Sequence, residues 1–205
     1  MSYFPFFTDI GQKRCLIVGG GTVAFGKIEK LLPFGVEITV VSPAFCAEIE
    51  QMQGISRLCR AFRAEDVRGM LFVIGATNEE SVNAAVADAC QARNIPVNIV
   101  DDAEKCTFFF PALVKRGEFV AGFSTGGASP LAARYVRAQV ENALPDGFAE
   151  VIDIMAAVRG RVKKLFADSR KRERVLHNIF SLALEKNGNV SPEEIEEIIR
   201  KEGER

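Results

Sequence analysis

Up to residue 100 the apolar positions of this chain fall in short, solid runs, and beyond residue 130 they recur every three or four residues. Solid runs bounded by glycine, proline and charge read as buried strands, and the wider spacing reads as helices that bury one face. The first run, residues 15–18, breaks at Gly19-Gly20-Gly21 and passes into a helical pattern whose buried side is read as Val23, Ile28, Leu31 and Leu32. That helix is predicted to run to about Phe34, with Gly35 as the left-handed residue that closes it. Pro33 in its last turn argues for an earlier end. Residues 36–41 form the next strand. Residues 44–69 hold a short helix, a weak strand at 56–59 and a charged turn around 63–66. Residues 71–77 read as a strand buried on both faces, as parallel strands are. A helix follows with Val82, Ala85, Val86, Ala89 and Cys90 on its apolar side, and then a strand at 96–100 that ends in Asp101-Asp102.

After residue 107 the pattern changes. Residues 108–115 and 118–124 flank Arg116-Gly117 and predict a hairpin. Ser129 as N-cap and Pro130 at the first helical position open a helix that carries Leu131, Tyr135, Val136, Val140 and Leu144. From about 149 the chain reads as helices, with a stripe of Val151, Ile154, Met155, Val158, Val162, Leu165 and Phe166, and a capping box at Ser191 and Glu194. The expected fold is α/β: a Rossmann-type doubly wound parallel sheet in residues 1–112, a hairpin-and-helix dimerisation region in 113–148, and a small helical C-terminal domain in 149–205. A hairpin with one amphipathic helix buries itself poorly alone: it either completes the sheet edge or pairs with a second subunit, and of the two a homodimer is the favoured expectation.

The glycine stretch carries the first chemistry. Gly19, Gly21 and Ala24 match G-x-G-x-x-A between a strand and a helix. Gly19 allows the tight reversal, Gly21 allows a pyrophosphate to approach the backbone, and Ala24 allows the helix to pack close to the strand. The loop from Gly19 through Gly20, Gly21, Thr22 and Val23 to Ala24 is therefore the candidate dinucleotide site, its phosphates facing the unpaired N–H groups and positive dipole end of the helix. A carboxylate that would hold the adenosine ribose is missing after the second strand, which ends in Ser42-Pro43. Ser42 is the candidate ribose contact, and the choice between NAD and NADP stays open on these residues. Thr77 and Asn78 follow a strand at its carboxyl end, where open α/β sheets hold their ligands.

Composition narrows the function classes. A net charge of −1 gives no general attraction to nucleic acid, and no apolar run approaches the roughly 20 residues of a membrane helix. The first residues lack a basic start and meet Asp9, so no signal peptide is expected. The five cysteines are widely spaced and form no C-x-x-C, which points to buried, reduced thiols in a cytoplasmic protein. A lone His177 with no neighbouring His or Cys supports no zinc site. Residues 159–174 hold eight basic side chains against two acids, either a solvated helix face or a patch for a polyanionic substrate.

Asp101 directly follows a buried strand, so it is expected at the rim of the nucleotide cleft, partly desolvated, where it could take a proton as hydride leaves. Asp102 is expected to face the other way and is the weaker candidate.

Four blocks then occur in order: Tyr3-Phe4-Pro5-Phe6-Phe7; Val18-Gly19-Gly20-Gly21-Thr22-Val23-Ala24 with Lys27; Asn98-Ile99-Val100-Asp101-Asp102 leading to Cys106-Thr107-Phe108-Phe109-Phe110-Pro111-Ala112; and Ser124-Thr125-Gly126-Gly127-Ala128-Ser129-Pro130. In these the chain resembles the NAD-dependent precorrin-2 dehydrogenase family of siroheme synthesis, the N-terminal module of siroheme synthases, which in some relatives also inserts iron. The resemblance implies NAD as cofactor, precorrin-2 as substrate and Asp101 as the catalytic acid. It further implies a substrate site at Ser124, Thr125 and Gly126, with Thr125 where some relatives have serine. A bifunctional dehydrogenase that also inserts Fe²⁺ or Co²⁺ is one alternative, and a regulatory NAD-sensing domain is another.

Overall fold

A computed structural model describes residues 4–204, so Tyr3 of the first block lies outside the described residues. The chain divides into two compact units, Phe4–Phe110 and the residues from Pro111 onward.

In the first unit five parallel strands lie in the order β3-β2-β1-β4-β5: β1 (Arg14–Val18), β2 (Glu37–Ser42), β3 (Ile55–Cys59), β4 (Phe72–Gly75) and β5 (Val97–Ile99). β1 lies centrally, with Val18 beside Val41 on one flank and Gly75 on the other. The strand order therefore reverses next to β1, and this switch point opens a crevice at the carboxyl ends of β1 and β4. The sheet is sealed on both faces, one layer gathering Cys15, Ile17, Ile28, Val40 and Ile74, the other Leu16, Val18, Val73, Val86 and Val97. This explains why the strands read as unbroken apolar runs.

α1 (Thr22–Leu31) buries Ala24, Ile28 and Leu31, spaced by four and three residues. Val23 is instead 50% exposed, contrary to the expected buried side. It sits in the first turn, where the helix rim faces the crevice rather than the sheet. The helix ends at Leu31 and tightens into a 3-10 turn at Leu32–Phe34 that accommodates Pro33, and Gly35 follows at φ +67° and donates its N–H to the Leu32 carbonyl. α2 (Ala47–Gln51) is a single short helix, and α3 (Glu80–Gln91) covers β4 and β5 through Val86, Ala87, Ala89 and Cys90.

β5 is an edge strand, and the returning chain closes it with one backbone contact and with side chains. Thr107 N–H donates to the Val97 carbonyl (2.8 Å), and Val97 N–H donates to Thr107 Oγ1 (2.8 Å). Phe108 and Phe110 were expected in the hairpin. They pack as rings under the first sheet instead, Phe108 edge-on to Phe72 at 5.6 Å and 5.5 Å from Phe110. Burial of large aromatic faces outweighs the strand preference of a phenylalanine run.

In the second unit β6 (Ala112–Arg116) and β7 (Phe119–Phe123) form the antiparallel hairpin, later in its start than expected. α4 (Pro130–Ala143) is capped by Ser129, whose side chain accepts the Ala132 N–H. α5 (Phe148–Leu165), α6 (Ser169–Glu185) and α7 (Pro192–Gly203) share a core of Val158, Val162, Phe166, Val175, Ile179 and Ile199. Leu165, expected in that stripe, is exposed at the helix end. The capping box at Ser191 and Glu194 forms in both directions. The basic run 159–174 is partly spent inside this unit. Arg161 forks onto Glu196, Arg174 meets the buried Glu202 at 2.7 and 2.5 Å, and Arg172 donates to the Ala167 carbonyl at 2.8 Å. Among the described residues no helix is long and apolar enough to cross a membrane.

Candidate cofactor cleft and the acid at its rim

The three glycines that end β1 are glycine for three different reasons. Gly19 has φ +123°, and a Cβ there would lie 2.2 Å from the Ala76 carbonyl oxygen of the neighbouring β4 turn. Gly20 is buried, and a Cβ there would lie 2.0 Å from the Ala44 carbonyl oxygen and 2.9 Å from Ser42 Oγ. Its own carbonyl accepts the Cys46 N–H, so the chain after β2 folds tightly over it. Gly21 has open space where its side chain would be, with nothing within 4 Å. It is the N-cap of α1, no side chain caps that helix, and no acid stands in its first turn. Helix N–H groups left open beside an empty approach suit a diphosphate.

A cleft of about 420 Å³ lies beyond these residues, at the ends of β4 and β5, lined by Val23, Ala76, Thr77, Asn78, Asp101 and Asp102 among others. Thr77 is held by Asn83. Its N–H and hydroxyl both lie within hydrogen-bond reach of Asn83 Oδ1, at 3.3 and 3.1 Å, and Asn83 Nδ2 donates to the Thr77 carbonyl at 3.0 Å. Asn78 is exposed on the same rim.

Asp101 lines the cleft and is exposed, not partly desolvated as expected, because the chain turns outward as soon as β5 ends. Its φ is +62°, a left-handed conformation uncommon for non-glycine residues, though aspartate tolerates it better than most. Asp102 lines the same cleft rather than turning away, because the strand geometry stops at Ile99. Its carboxylate is already paired with the Lys105 ammonium, which holds it below the usual carboxylate range. Lys27, one turn beyond Val23 on α1, sits 4.4 Å over the Phe110 ring. Burial, with Lys30 adding to it, lowers its ammonium from the ordinary value, while Cys106 and Asp101 oppose the shift.

The cysteines are not the uniformly buried set that was expected. Cys15 and Cys90 are buried, and burial pushes their thiols up to about 12 and about 11. Cys59 is exposed, and Cys46 and Cys106 are half-buried. Among the described residues no three His, Cys, Asp or Glu side chains gather where a metal ion could be held. Ser124, Thr125 and Gly126 belong to the second unit, where they build the turn before α4. Ser124 Oγ accepts the Gly126 N–H at 3.2 Å, and Thr125 Oγ1 accepts the Ser129 N–H at 2.9 Å.

The family model NAD_binding_7, described as "Putative NAD(P)-binding", matches residues 6–112, just over half of the chain and the whole parallel sheet. The chain belongs to this NAD(P)-binding family. Membership supports a nicotinamide dinucleotide as the cofactor of this chain. Within that family the chain is similar to siroheme synthases. It is 39% identical over 176 residues to that of Nitrosomonas eutropha, covering 84% of this chain and 37% of the relative. It is also 39% identical over 175 residues to that of Methylococcus capsulatus, with the same coverage. The chain thus spans about two fifths of the length of the curated relatives it matches. Among solved structures it is similar to "SirC, precorrin-2 dehydrogenase", with a TM-score of 0.79 at 22% identity over 99% of this chain and 100% of that one, which shows the shared fold.

Three residues that shape the cleft were not singled out from the sequence: Asn83, Asn98 and Cys106. Asn98 carried a readable signal, since it is a polar residue in the middle of an apolar strand. It is buried and donates to the Phe108 carbonyl at 3.0 Å. Asn83 and Cys106, the latter noted only as the start of a matching block, act through irregular turn contacts over four to seven residues that no periodic pattern marks.

Proposed function

We propose that this chain oxidises precorrin-2 to sirohydrochlorin, with NAD as hydride acceptor and Asp101 as the residue that takes the accompanying proton. The observation that carries the reading is Asp101 itself, a carboxylate in a constrained left-handed turn on the rim of the cleft beside the dinucleotide loop. Similarity to siroheme synthases and to a precorrin-2 dehydrogenase supports the substrate. Residues 1–112 serve the cofactor, 113–148 pair the protomers, and 149–205 form the helical remainder. Gly19, Gly20, Gly21, Thr22, Val23 and Ala24 take the diphosphate, Ser42 the adenosine ribose, Thr77 and Asn78 the nicotinamide end, and Ser124, Thr125 and Gly126 the tetrapyrrole. Bound NAD supplies an electrophilic ring that accepts a hydride. The chain's own work is alignment and proton handling: the substrate loses one hydride and one proton, and the Asp101 carboxylate receives the proton and passes it to water. A pyridine-nucleotide reaction and five unbridged thiols fit the cytoplasm.

The purified protein, mixed with enzymatically made precorrin-2 and NAD, is expected to form NADH together with the sirohydrochlorin spectrum. NAD binding with no turnover would instead favour a regulatory nucleotide-binding domain.

NAD rather than NADP is supported by the state of the cations near β2. Arg60 follows β3 and donates its N–H to the Ser42 carbonyl, at the end of β2. Its guanidinium is committed in a fork to Asp66, at 2.8 and 2.7 Å. Asp66 is held below the usual carboxylate range, first by that Arg60 contact. Arg57, on β3, is committed to the carbonyls at the end of α2. Neither guanidinium is free for a 2′-phosphate. Asp66→Asn releases Arg60 and is expected to tighten NADP binding by roughly tenfold, about 1.4 kcal/mol, with NAD binding unchanged. Titration calorimetry checks this, and an unaltered NADP affinity in the folded variant removes the argument.

A homodimer is supported by α4, which leaves Leu131 72% and Tyr135 65% exposed one turn apart, with Val136 beside them. A stripe of this kind on a single chain marks an association surface. Sedimentation equilibrium of the full chain is expected to give twice the mass of the chain, and Leu131→Glu with Tyr135→Glu is expected to halve it. A monomeric wild type overturns this reading.

A further inference from the structure

We propose that Cys106 is a positioning residue for Asp101, its thiol tying together the two ends of the turn that presents the acid to the cleft. The inference rests on the reading of Asp101 given above. Cys106 Sγ lies 3.1 Å from the Asp102 carbonyl oxygen and 3.2 Å from the Ile99 carbonyl oxygen, so its S–H is shared between the residues before and after Val100-Asp101. The same sulfur accepts the Ile99 N–H at 3.2 Å and is approached by Asn98 Nδ2 at 3.4 Å. One atom thus has four polar neighbours, all on the strand end and turn that carry Asp101.

The turn needs such a fastening. A left-handed non-glycine residue is strained, less so for aspartate than for a branched side chain, and persists where the surrounding contacts over-determine it. Asp101 lies at φ +62° between Ile99 and Asp102. The direct backbone closure from Asp102 N–H to the Ile99 carbonyl is long, at 3.3 Å. The sulfur reinforces that closure from the side. Burial raises the Cys106 thiol from its ordinary value, so it remains an S–H donor at neutral pH. None of the five cysteines is bridged, which leaves this thiol free for the role. A half-buried cysteine that merely fills space would need none of these partners.

The test compares Cys106→Ala, which removes donor and acceptor, with Cys106→Ser, which keeps both. In the alanine variant, amide exchange at Asp102 is expected to accelerate about tenfold as the turn loosens, while the amides of the glycine loop keep their protection. Its kcat for precorrin-2 oxidation falls roughly 10- to 100-fold at unchanged NAD affinity, the size of loss that a displacement of about 1 Å of a reacting group produces. Serine is expected to restore most of both, as a hydroxyl can span the same carbonyls. Wild-type exchange and wild-type kcat in the alanine variant overturn the proposal, and so does a folded serine variant that restores neither. If Cys106→Ala fails to fold, the serine variant alone decides by the same two readouts. The exchange measurement does not depend on the reaction. If Asp101→Asn kept full turnover, the role of the acid would fall, and accelerated Asp102 exchange would still establish the sulfur as the fastening of the turn.

Discussion

Asp101→Asn is expected to slow NADH formation from precorrin-2 by roughly 10²–10⁴-fold, the usual range for loss of a positioned proton acceptor. Asparagine is the informative replacement. Asn and Asp are the non-glycine residues that tolerate left-handed backbone best, so the turn at φ +62° survives and only the charge and the basic oxygen disappear. Alanine would add backbone strain to the chemical loss and blur the two. Because Asp101 lies on β5's end rather than in the glycine loop, NAD affinity should hold while kcat falls. Stopped-flow absorbance with calorimetric NAD titration checks both halves. Wild-type turnover in the asparagine variant would remove Asp101 from the reaction.

Gly21→Asp is the second large effect, and its signature is a loss of binding without a loss of fold. Gly21 has φ −90° and nothing within 4 Å of its missing side chain, so aspartate fits without strain. Aspartate is also a slightly better N-cap than glycine, by a few tenths of a kcal/mol, so melting temperature should hold or rise. A carboxylate at that point opposes a diphosphate. At about 4 Å a like-charge pair costs on the order of 1–4 kcal/mol between the limits of water and a protein surface, and the side chain also fills the approach. Dinucleotide affinity is therefore expected to fall by at least about 100-fold. Gly19→Ala provides the contrast, since its Cβ would meet the Ala76 carbonyl oxygen at 2.2 Å and adopt φ +123°, so it should lose both stability and binding. Retained affinity in Gly21→Asp would place the dinucleotide elsewhere.

These two sites were legible because they sit at transitions. A solid apolar run, three glycines and a helical pattern can fold in few ways, and Asp101 stands where an apolar run stops. The five strands, the Gly35 closure and the Ser129 and Ser191 caps were readable for the same local reasons. What escaped depends on contacts that no periodic pattern marks. Phe108 and Phe110 have strand-like composition, but the Phe108 ring found a better partner in Phe72, and the Phe110 ring in Phe108. Val23 matches the helical spacing, yet the first turn of α1 looks into the cleft. Asp101 was expected to be partly shielded, and no local pattern could show that the chain swings outward at Ile99. Asn83 and Cys106 look unremarkable in sequence because their contacts, to Thr77 and to the Ile99–Asp102 turn, are irregular turn contacts over four to seven residues that no periodic pattern marks.

The closure of β5 by Thr107 and Cys106 has a bearing on solubility. A sheet of buried strands that ended in bare N–H and C=O groups would invite a foreign strand to dock, the first step of open-ended stacking. Here the outward groups of Val97 and Ile99 are already engaged, by the Thr107 N–H and by the side chains of Thr107 and Cys106, which leaves no row of groups to extend a ladder. The loop that carries the acid is thus also a terminator for the sheet, and a cell that makes this protein in quantity is spared a sticky margin.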